Sequence, residues 1–258
     1  MIMDNMTIKN QEEIAPKIYR IEVTGPLTQQ MKNPGQFVNL RVSKGIDPTL
    51  RRPISICDVD VEKETLTMIY RVEGKGTKLL AEKVVGDEVN ILGPLGQGFP
   101  VEAAKPNDVC VLIGGGVGIP PLYYLGKQLV AAGAKVITIL GFRTDKDIFL
   151  EEEFQELGEL IITTEDGSKG VKGFVTDALK ELKAYDLYYT CGPKPMLKAV
   201  EQTASTHGFI SLEERMGCGV GACLACVCDL KERDKTTGKA YAKICSDGPV
   251  FLSGEVIL

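Results

Sequence analysis

The first hundred residues contain short stretches in which apolar and polar side chains alternate. Residues 38–42 form one such stretch, residues 66–72 a second and residues 89–91 a third. A period of two places every second side chain on one face, which is typical of strands with one buried side. Glycine, proline and asparagine separate the stretches, so this part is predicted to be a small antiparallel β-barrel.

The pattern changes after about residue 106, where short apolar runs alternate with segments of helical length. The predicted strands are 109–113, 136–141, 160–164 and 187–190, and the predicted helices are 120–129, 148–157, 174–183 and 194–204. Pro120 and Pro121 suit the first turn of a helix. The alternation predicts a parallel sheet with helices on both faces, and it ends near His207.

The chain is therefore predicted to be multidomain. An antiparallel β-barrel occupies residues 1–98, an α/β parallel-sheet nucleotide domain residues 106–207, and a small C-terminal module rich in glycine and cysteine residues 208–258. A length of 258 residues is ample for two domains and a small module.

The composition excludes several classes of partner. The net charge is −5 with 25% charged residues, which argues against nucleic acid as the main partner. No apolar run approaches the roughly 20 residues of a membrane span. The N-terminus lacks a basic start followed by an apolar core, so no secretory signal is expected and the protein is predicted to be cytoplasmic.

Five of the eight cysteines lie at or after residue 218. Four of them, Cys218, Cys223, Cys226 and Cys245, have the spacing C-x4-C-x2-C-x18-C, which matches the plant-type 2Fe–2S pattern. The glycines and alanines between them let backbone N–H groups approach the sulfurs. A structural zinc site is the alternative, but zinc ribbons pair two C-x2-C knuckles and only one is present. Cys228 is predicted to be a buried thiol and not a ligand.

Two loops have the features of a dinucleotide site. The predicted strand 109–113 runs into a glycine turn and a helix, and this turn consists of Gly114, Gly115, Gly116, Val117 and Gly118. The second loop, Cys191, Gly192 and Pro193, follows the last predicted strand. Glycines let the backbone approach a pyrophosphate, and both loops lie at carboxyl ends of strands. A purely structural turn is the alternative for the first loop, and a small buried side chain for Cys191.

Acidic residues follow a third strand end and bear on the type of dinucleotide. Glu165 and Asp166 could bind a ribose hydroxyl or repel a 2′-phosphate, which favours NAD over NADP. A solvated turn is the alternative.

A basic motif lies in the β-rich part, where Arg51 and Arg52 precede Pro53, Ile54 and Ser55. An arginine binds phosphate in a bidentate manner and a serine hydroxyl adds a donor. Taken alone, an arginine pair in a barrel loop is more typical of a solvated surface.

The order of these motifs carries a resemblance. R-P-x-S in a barrel, then GGGVG, then C-G-P-x-P-M resembles the ferredoxin–NADP reductase superfamily. The runs FISLEERMGCGVGACLACVCDL and KICSDGPVF are similar to the electron-transfer subunits of bacterial class 1B dihydroorotate dehydrogenases. This second resemblance covers essentially the whole chain.

The resemblance implies three cofactors. FAD would be held by the barrel, NAD by the two loops of the α/β domain, and a 2Fe–2S cluster by the four cysteines. The implied FAD contacts are Arg52, Pro53, Ile54, Ser55, Ile69, Tyr70, Arg71, Gly76 and Thr77. Ile54 replaces an aromatic residue of many superfamily members, so it is not expected to stack on a flavin. No catalytic side chain is assigned, and the single histidine, His207, is expected at the surface.

The cofactor set orders the electron transfer. Nicotinamide transfers two electrons at once, an iron–sulfur cluster transfers one, and a flavin does both, so FAD belongs between the other two. The resemblance implies an FMN-containing catalytic subunit that oxidises dihydroorotate to orotate in pyrimidine biosynthesis, in a hetero-oligomer with two copies of each subunit. Electrons would pass from its flavin through the cluster and FAD to NAD.

Two other functions stay open at this point. One is an NAD(P)H-dependent flavin and iron–sulfur reductase subunit of another complex, such as a sulfide dehydrogenase, a hydrogenase or a ferredoxin-linked transhydrogenase. The other is a non-enzymatic nucleotide-binding module with a structural zinc.

Overall fold

A computed structural model describes residues 2–43 and 45–258 of the chain. Six strands form the N-terminal part: β1 Ile2–Ala15, β2 Ile18–Thr24, β3 Phe37–Arg41, β4 Arg52–Asp60, β5 Thr65–Arg71 and β6 Glu88–Leu95. They close into a barrel in the order β1-β2-β5-β4-β3-β6, with antiparallel neighbours throughout. The predicted antiparallel barrel is confirmed.

The barrel interior follows the alternation seen in the sequence. Val38 and Leu40 of β3 are fully buried and pack with Met68 of β5 and Ile91 of β6. Each such side chain contributes roughly 1.5–3 kcal/mol on burial. Asn39 points to the opposite face of β3 and is also buried, because the C-terminal part of the chain packs there.

Two features of the barrel were not predicted. The sequence of β1 is mostly polar, and its pairing with β2 and β6 supplies the hydrogen bonds that its side chains do not suggest. Helix α1 Lys75–Ala81 lies where Gly74 and Gly76 indicated a turn. Its C-terminal end is fixed from a distance, since the Gln11 side-chain amide donates to the carbonyls of Leu80 and Ala81 at 3.1 and 3.2 Å.

A seven-stranded sheet forms the second part. Its strands are β7 Val109–Gly115, β8 Lys135–Phe142, β9 Gly158–Thr164, β10 Val171–Lys172, β11 Leu187–Cys191, β12 Gly208–Ser211 and β15 Val250–Leu252. The order is β10-β9-β8-β7-β11-β12-β15, and only the β12–β15 pair is antiparallel. The prediction that the alternation ends near His207 was wrong, because β12 adds a parallel strand and β15 returns from the tail.

Helices cover both faces of this sheet, as predicted. They are α2 Pro120–Ala131, α3 Glu151–Gln155, α4 Val175–Glu181 and α5 Lys194–Thr203. Cys110 and Leu112 of β7 face one apolar cluster, and Val111 and Ile113 face another on the opposite side. Helix α3 is shorter than the predicted 148–157, because Leu150 has a left-handed φ of 59° and the helix begins only after it.

Polar contacts join the barrel to the α/β domain. The Lys127 ammonium of α2 lies 2.8 Å from the Asp58 carboxylate of β4, and the Tyr124 hydroxyl donates to the Met31 carbonyl at 3.2 Å. Arg20 and Glu153 form a further ion pair across the same interface. Together these contacts fix the relative placement of the two parts.

The remaining strands, β13 Val227–Asp229 and β14 Tyr241–Lys243, form a small hairpin within the cysteine-rich segment. Within the described residues, none of the helices combines the length with the apolar content that crossing a membrane requires.

We predict that β15 is a major anchor of the C-terminal segment. Phe251→Ala removes a side chain that is 5% exposed within the core shared by the sheet and the cysteine segment, and it should cost about 3–5 kcal/mol. The neighbouring Leu252 is 46% exposed, so Leu252→Ala should cost less than about 1 kcal/mol. Urea unfolding followed by circular dichroism measures both, and equal destabilisation would contradict the prediction.

Candidate functional site

A cavity of about 790 Å³ opens between β4 and β5 of the barrel and the chain that follows β12. The structure brings seven of the residues predicted to contact FAD to its wall: Arg52, Pro53, Ile54, Ser55, Ile69, Tyr70 and Arg71. We call this space the barrel cavity. It is elongated across two adjacent strands because β4 and β5 pair with each other.

The two consecutive arginines have different roles. Arg51 is held by the chain, since its guanidinium donates to the backbone carbonyls of Asn39 and Asn90 at 3.1 Å each. Arg52 also lines the cavity, as Arg51 does, but its hydrogen bonds, to the carbonyls of Leu50 and Arg51 at 2.6 and 3.2 Å, both come from Nη1. Arg52 therefore has more donors left for an anionic ligand than Arg51.

Gly76 and Thr77 support the barrel cavity without lining it. A Cβ atom at Gly76 would lie 2.1 Å from Nε of Arg52, so only glycine leaves room for that guanidinium. The Thr77 hydroxyl accepts the backbone N–H groups of Glu73 and Gly74 at 3.1 and 3.2 Å. Both residues position the loop that carries Glu73, which does line the cavity.

Several wall residues were missed by the sequence analysis because they come from distant parts of the chain. They are Phe37, Ser211, Leu212, Glu213, Glu214, Arg215, Met216 and Pro249. Glu213 lines the cavity and is exposed toward it. Neighbouring protein atoms nevertheless desolvate its carboxyl group. This desolvation raises the pKa of its carboxyl, and Arg71 acts in the opposite direction.

A second cavity, of about 1150 Å³, lies at the carboxyl ends of β7, β8 and β9. Gly115, Gly116 and Pro193 line it, and Val117 from the same glycine turn lines the barrel cavity instead. We call this space the sheet-end cavity. Arg71 belongs to the walls of both cavities, so the two spaces adjoin.

The other residues of the two predicted loops lie behind the surface, where the loops meet. A Cβ atom at Gly118 would lie 2.5 Å from the carbonyl carbon and oxygen of Cys191 and from the nitrogen of Gly192. Gly114 is restricted less severely, since its Cβ would lie 2.9 Å from a side-chain carbon of Ile119. Burial raises the pKa of the Cys191 thiol and Glu213 adds to the effect, so this thiol stays protonated at neutral pH.

The polar side chains of the sheet-end cavity suit a dinucleotide. Lys17, Lys78 and Arg143 line it and can meet phosphate, while Glu165 provides a carboxylate. Asp166 does not line it, because its carboxylate accepts the hydroxyl and backbone N–H of Ser168 at 2.6 and 3.0 Å. Of the two predicted acids, only Glu165 is placed to meet a ribose.

Three of the four cysteines lie in residues 217–226, which we call the cysteine loop. Backbone N–H groups of this loop donate to the cysteine sulfurs. Cys218 Sγ accepts the N–H groups of Val220 and Ala222 at 3.4 and 3.3 Å, and Cys245 Sγ accepts that of Gly221 at 3.1 Å. Burial opposes ionisation of Cys218, but these donors and that of Cys223 lower its pKa to about 6. The thiolate is the form that binds metal.

The cysteine sulfurs also interact with one another. The Cys218 N–H donates to Cys223 Sγ at 3.4 Å, and burial together with Cys226 and Cys218 raises the pKa of the Cys245 thiol. The thiols of Cys218, Cys223, Cys226 and Cys245 are the donor set of a binuclear cluster, in which each iron takes two protein thiolates. Cys228 lies in β13 beside Ala242, away from this arrangement.

The cysteine loop also packs against the barrel. Gly219 has φ +74°, and a Cβ there would lie 2.5 Å from the Asn39 side-chain nitrogen. That nitrogen donates to the Cys218 carbonyl at 3.4 Å. After Cys245, the Gln97 side chain and backbone donate to the carbonyls of Ser246 and Gly248 at 3.2 and 2.6 Å. Pro249, four positions after Cys245, lines the barrel cavity.

Two family models match the chain. One describes the iron–sulfur cluster binding domain of dihydroorotate dehydrogenase B and matches residues 213–257. The other describes an oxidoreductase NAD-binding domain and matches residues 112–202. Curated relatives from Bacillus cereus (strain AH187) and Bacillus anthracis (strain A0248) are each 54% identical over 260 residues, which is 100% of both chains. Both are described as the electron transfer subunit of dihydroorotate dehydrogenase B (NAD(+)).

Solved structures agree with these matches. A chain of the NADH-dependent reduced ferredoxin–NADP oxidoreductase, a flavin-based bifurcating complex, superposes with a TM-score of 0.85 at 31% identity, covering 98% of this chain and 89% of that one. A ferredoxin–NADP⁺ reductase from Neisseria gonorrhoeae, with bound FAD and NADP, superposes with a TM-score of 0.64 at 18% identity, covering 78% and 89%. The second similarity concerns the fold alone.

We predict that Gly118→Ala disrupts the sheet-end cavity selectively. The added methyl group must push the Cys191–Gly192 backbone away, so NADH binding should weaken at least about tenfold, or about 1.4 kcal/mol. Gly45→Ala is the matched control, since nothing lies within 4 Å of its Cβ position. Titration calorimetry with NADH measures both variants, and unchanged affinity in Gly118→Ala would remove this loop from the site.

Proposed function

This chain belongs to the family of dihydroorotate dehydrogenase B electron transfer subunits, and from that premise we propose that it passes electrons from the flavin of a catalytic partner, through a 2Fe–2S cluster and FAD, to NAD. The observation that carries the proposal is the position of the barrel cavity. It adjoins the sheet-end cavity at Arg71 on one side and the segment after Cys245 at Pro249 on the other.

We propose that the barrel cavity holds FAD. FAD, when bound, exchanges electron pairs with a nicotinamide and single electrons with an iron–sulfur cluster. Arg52 is the residue for the pyrophosphate, because its guanidinium faces the cavity and Gly76 leaves it room. Pro53 to Ser55 and Ile69 to Arg71 present their side chains on two paired strands, and Gly76 and Thr77 fix the adjoining loop.

We propose that the sheet-end cavity holds NAD, with Gly115, Gly116 and Pro193 in its wall and the rest of the loops Gly114–Gly118 and Cys191–Pro193 supporting that wall. The close approach of Gly118 to Cys191 supports this assignment, since it keeps both loops thin at the carboxyl ends of the strands. The Glu165 carboxylate favours NAD, because it can accept a ribose hydroxyl and repels a 2′-phosphate.

Cys218, Cys223, Cys226 and Cys245 are proposed as the four ligands of the 2Fe–2S cluster. The C-x4-C-x2-C-x18-C spacing and the N–H donors described above support this set. The functional division 1–98, 106–207 and 208–258 follows from these assignments, with β12 and β15 of the last range completing the sheet.

We propose that the catalytic subunit, an FMN-containing dihydroorotate-oxidising protein, docks on the cysteine loop. Cys223 is exposed there, and the apolar side chains of Val220 and Leu224 beside it are exposed as well. An apolar rim around a cluster ligand lets a partner exclude water where electrons cross. A cytoplasmic location fits the eight cysteines, none of which forms a disulfide in the part of the chain that the structure describes.

One observation favours a second candidate. The chain of the bifurcating ferredoxin–NADP oxidoreductase is 31% identical and covers nearly the whole fold. A reductase subunit of a ferredoxin-linked complex would need the same order of cavities. Dihydroorotate-dependent NAD reduction in the isolated complex separates the two candidates, because only the first requires it.

We predict that Cys223→Ser blocks electron exchange with the partner. The variant should lose dihydroorotate-dependent NAD reduction in the complex, while NADH still reduces FAD, because the barrel and sheet-end cavities do not include Cys223. Cys228→Ser is the matched control and should retain turnover. Absorbance at flavin and cluster bands, with iron and sulfide analysis, follows each step. Wild-type coupled turnover in Cys223→Ser would place the cluster off the path.

We predict that Arg52→Ala weakens FAD retention. Loss of a charge-assisted hydrogen bond to phosphate costs roughly 1.5–3 kcal/mol, or about ten- to a hundredfold in affinity. Arg41→Ala removes an exposed arginine of the same barrel that does not line the cavity, and it should leave FAD content unchanged. Flavin per protein after gel filtration measures both. Equal retention in the two variants would remove Arg52 from the pyrophosphate site.

A further inference from the structure

We propose that Lys243 is a charged tuning residue of the cysteine loop, which raises the reduction potential of the cluster held there. The proposal rests on the cluster site proposed above and assigns a role to a residue outside the four ligands. Lys243 ends β14 and lies half-buried two residues before Cys245.

Gly221 connects Lys243 to the sulfurs. The Gly221 N–H donates to Cys245 Sγ at 3.1 Å, and the Gly221 carbonyl accepts from Nζ of Lys243 at 3.4 Å. A Cβ atom at Gly221 would lie 3.2 Å from the same Nζ, so the ammonium rests directly against this residue. One glycine thus contacts a ligand sulfur with one end and the ammonium with the other.

The ammonium is not neutralised by a nearby carboxylate. Asp247 is the acidic residue closest in the chain, and its carboxylate accepts the Lys243 backbone N–H at 2.8 Å and the Ser246 hydroxyl at 3.0 Å. Within residues 2–43 and 45–258, no acidic oxygen lies within 4.0 Å of Lys243 Nζ. The positive charge of Lys243 therefore acts on the cysteine loop.

The sign of the effect follows from charge balance. A cluster with four thiolate ligands is anionic, and uptake of one electron adds one negative charge without breaking a bond. A fixed positive charge stabilises the reduced form more than the oxidised form and raises the potential. The hydrogen bond to the Gly221 carbonyl also polarises the Gly221–Ala222 peptide, which strengthens the Ala222 N–H donor to Cys218 Sγ.

The alternative is a purely mechanical role, in which Lys243 only holds Gly221 in place. Lys243→Gln separates the two roles, because glutamine keeps a donor for the Gly221 carbonyl and removes the charge. Lys243→Arg keeps both the donor and the charge. Lys105→Gln makes the same change in net charge at an exposed site before β7, outside the cysteine segment.

The test is a redox titration of the full-length chain with its bound cofactors, followed by the electron paramagnetic resonance signal of the reduced cluster. At the wild-type midpoint, the ratio of reduced to oxidised cluster should fall about threefold or more in Lys243→Gln. It should stay near the wild-type ratio in Lys243→Arg and Lys105→Gln. Hydrogen exchange of the Gly221 and Ala222 amides should match wild type in all three variants.

A wild-type midpoint in Lys243→Gln with full iron and sulfide content would overturn the tuning role. Loss of the cluster in that variant alone would assign Lys243 a structural role and would equally overturn it. Absence of iron and sulfide from the wild-type chain would instead contradict the cluster site itself, so the two failures are distinguishable.

Discussion

The arrangement of the barrel, the sheet and the cysteine segment depends on the contacts that the C-terminal segment makes with the other two parts. β15 pairs with β12 at the edge of the sheet, and Leu212 donates to the Pro249 carbonyl at 2.9 Å. On the other side, Gln97 holds the Ser246–Gly248 segment to the barrel. The cysteine segment is thus fixed to both larger parts, and it completes the wall of the barrel cavity with Pro249 and Glu213. Without these contacts, one wall of the cavity would be missing.

The same contacts explain why the cysteine loop is rich in small residues. Thiolates brought out of water must be compensated, and here backbone N–H groups donate directly to the sulfurs of Cys218 and Cys245. Such a loop has to curl tightly, which Gly219 and Gly221 permit with their positive φ angles. It also has to approach the barrel closely, and the contact of Gly219 with Asn39 leaves no space for a side chain. Sulfur compensation and close packing therefore require the same small residues.

Local sequence patterns were sufficient to predict the barrel and the parallel sheet, and they contain the glycine turn and the four-cysteine spacing. Long-range pairing was not visible in them. The polar β1 is a strand because β2 and β6 flank it, and helix α1 is fixed by Gln11 from far along the chain. The wall residue Glu213 and the supporting residue Gln97 gave no sequence signal, because each matters only through a segment that the fold brings to it. The spacing of cysteines along the chain predicts metal ligands, whereas the residues of a cavity wall depend on which distant segments the fold brings together.

Arg71 shows how the two cavities are coupled. It lies on β5, lines both spaces, and its guanidinium would meet a Cβ atom at Gly116 at 3.1 Å. Its partner Glu73 is 3.3 Å away and largely exposed, so the pair is held weakly and can adjust to a bound anion. Arg52, in contrast, lines the barrel cavity and not the sheet-end cavity. One guanidinium thus spans the boundary between the barrel and the glycine turn.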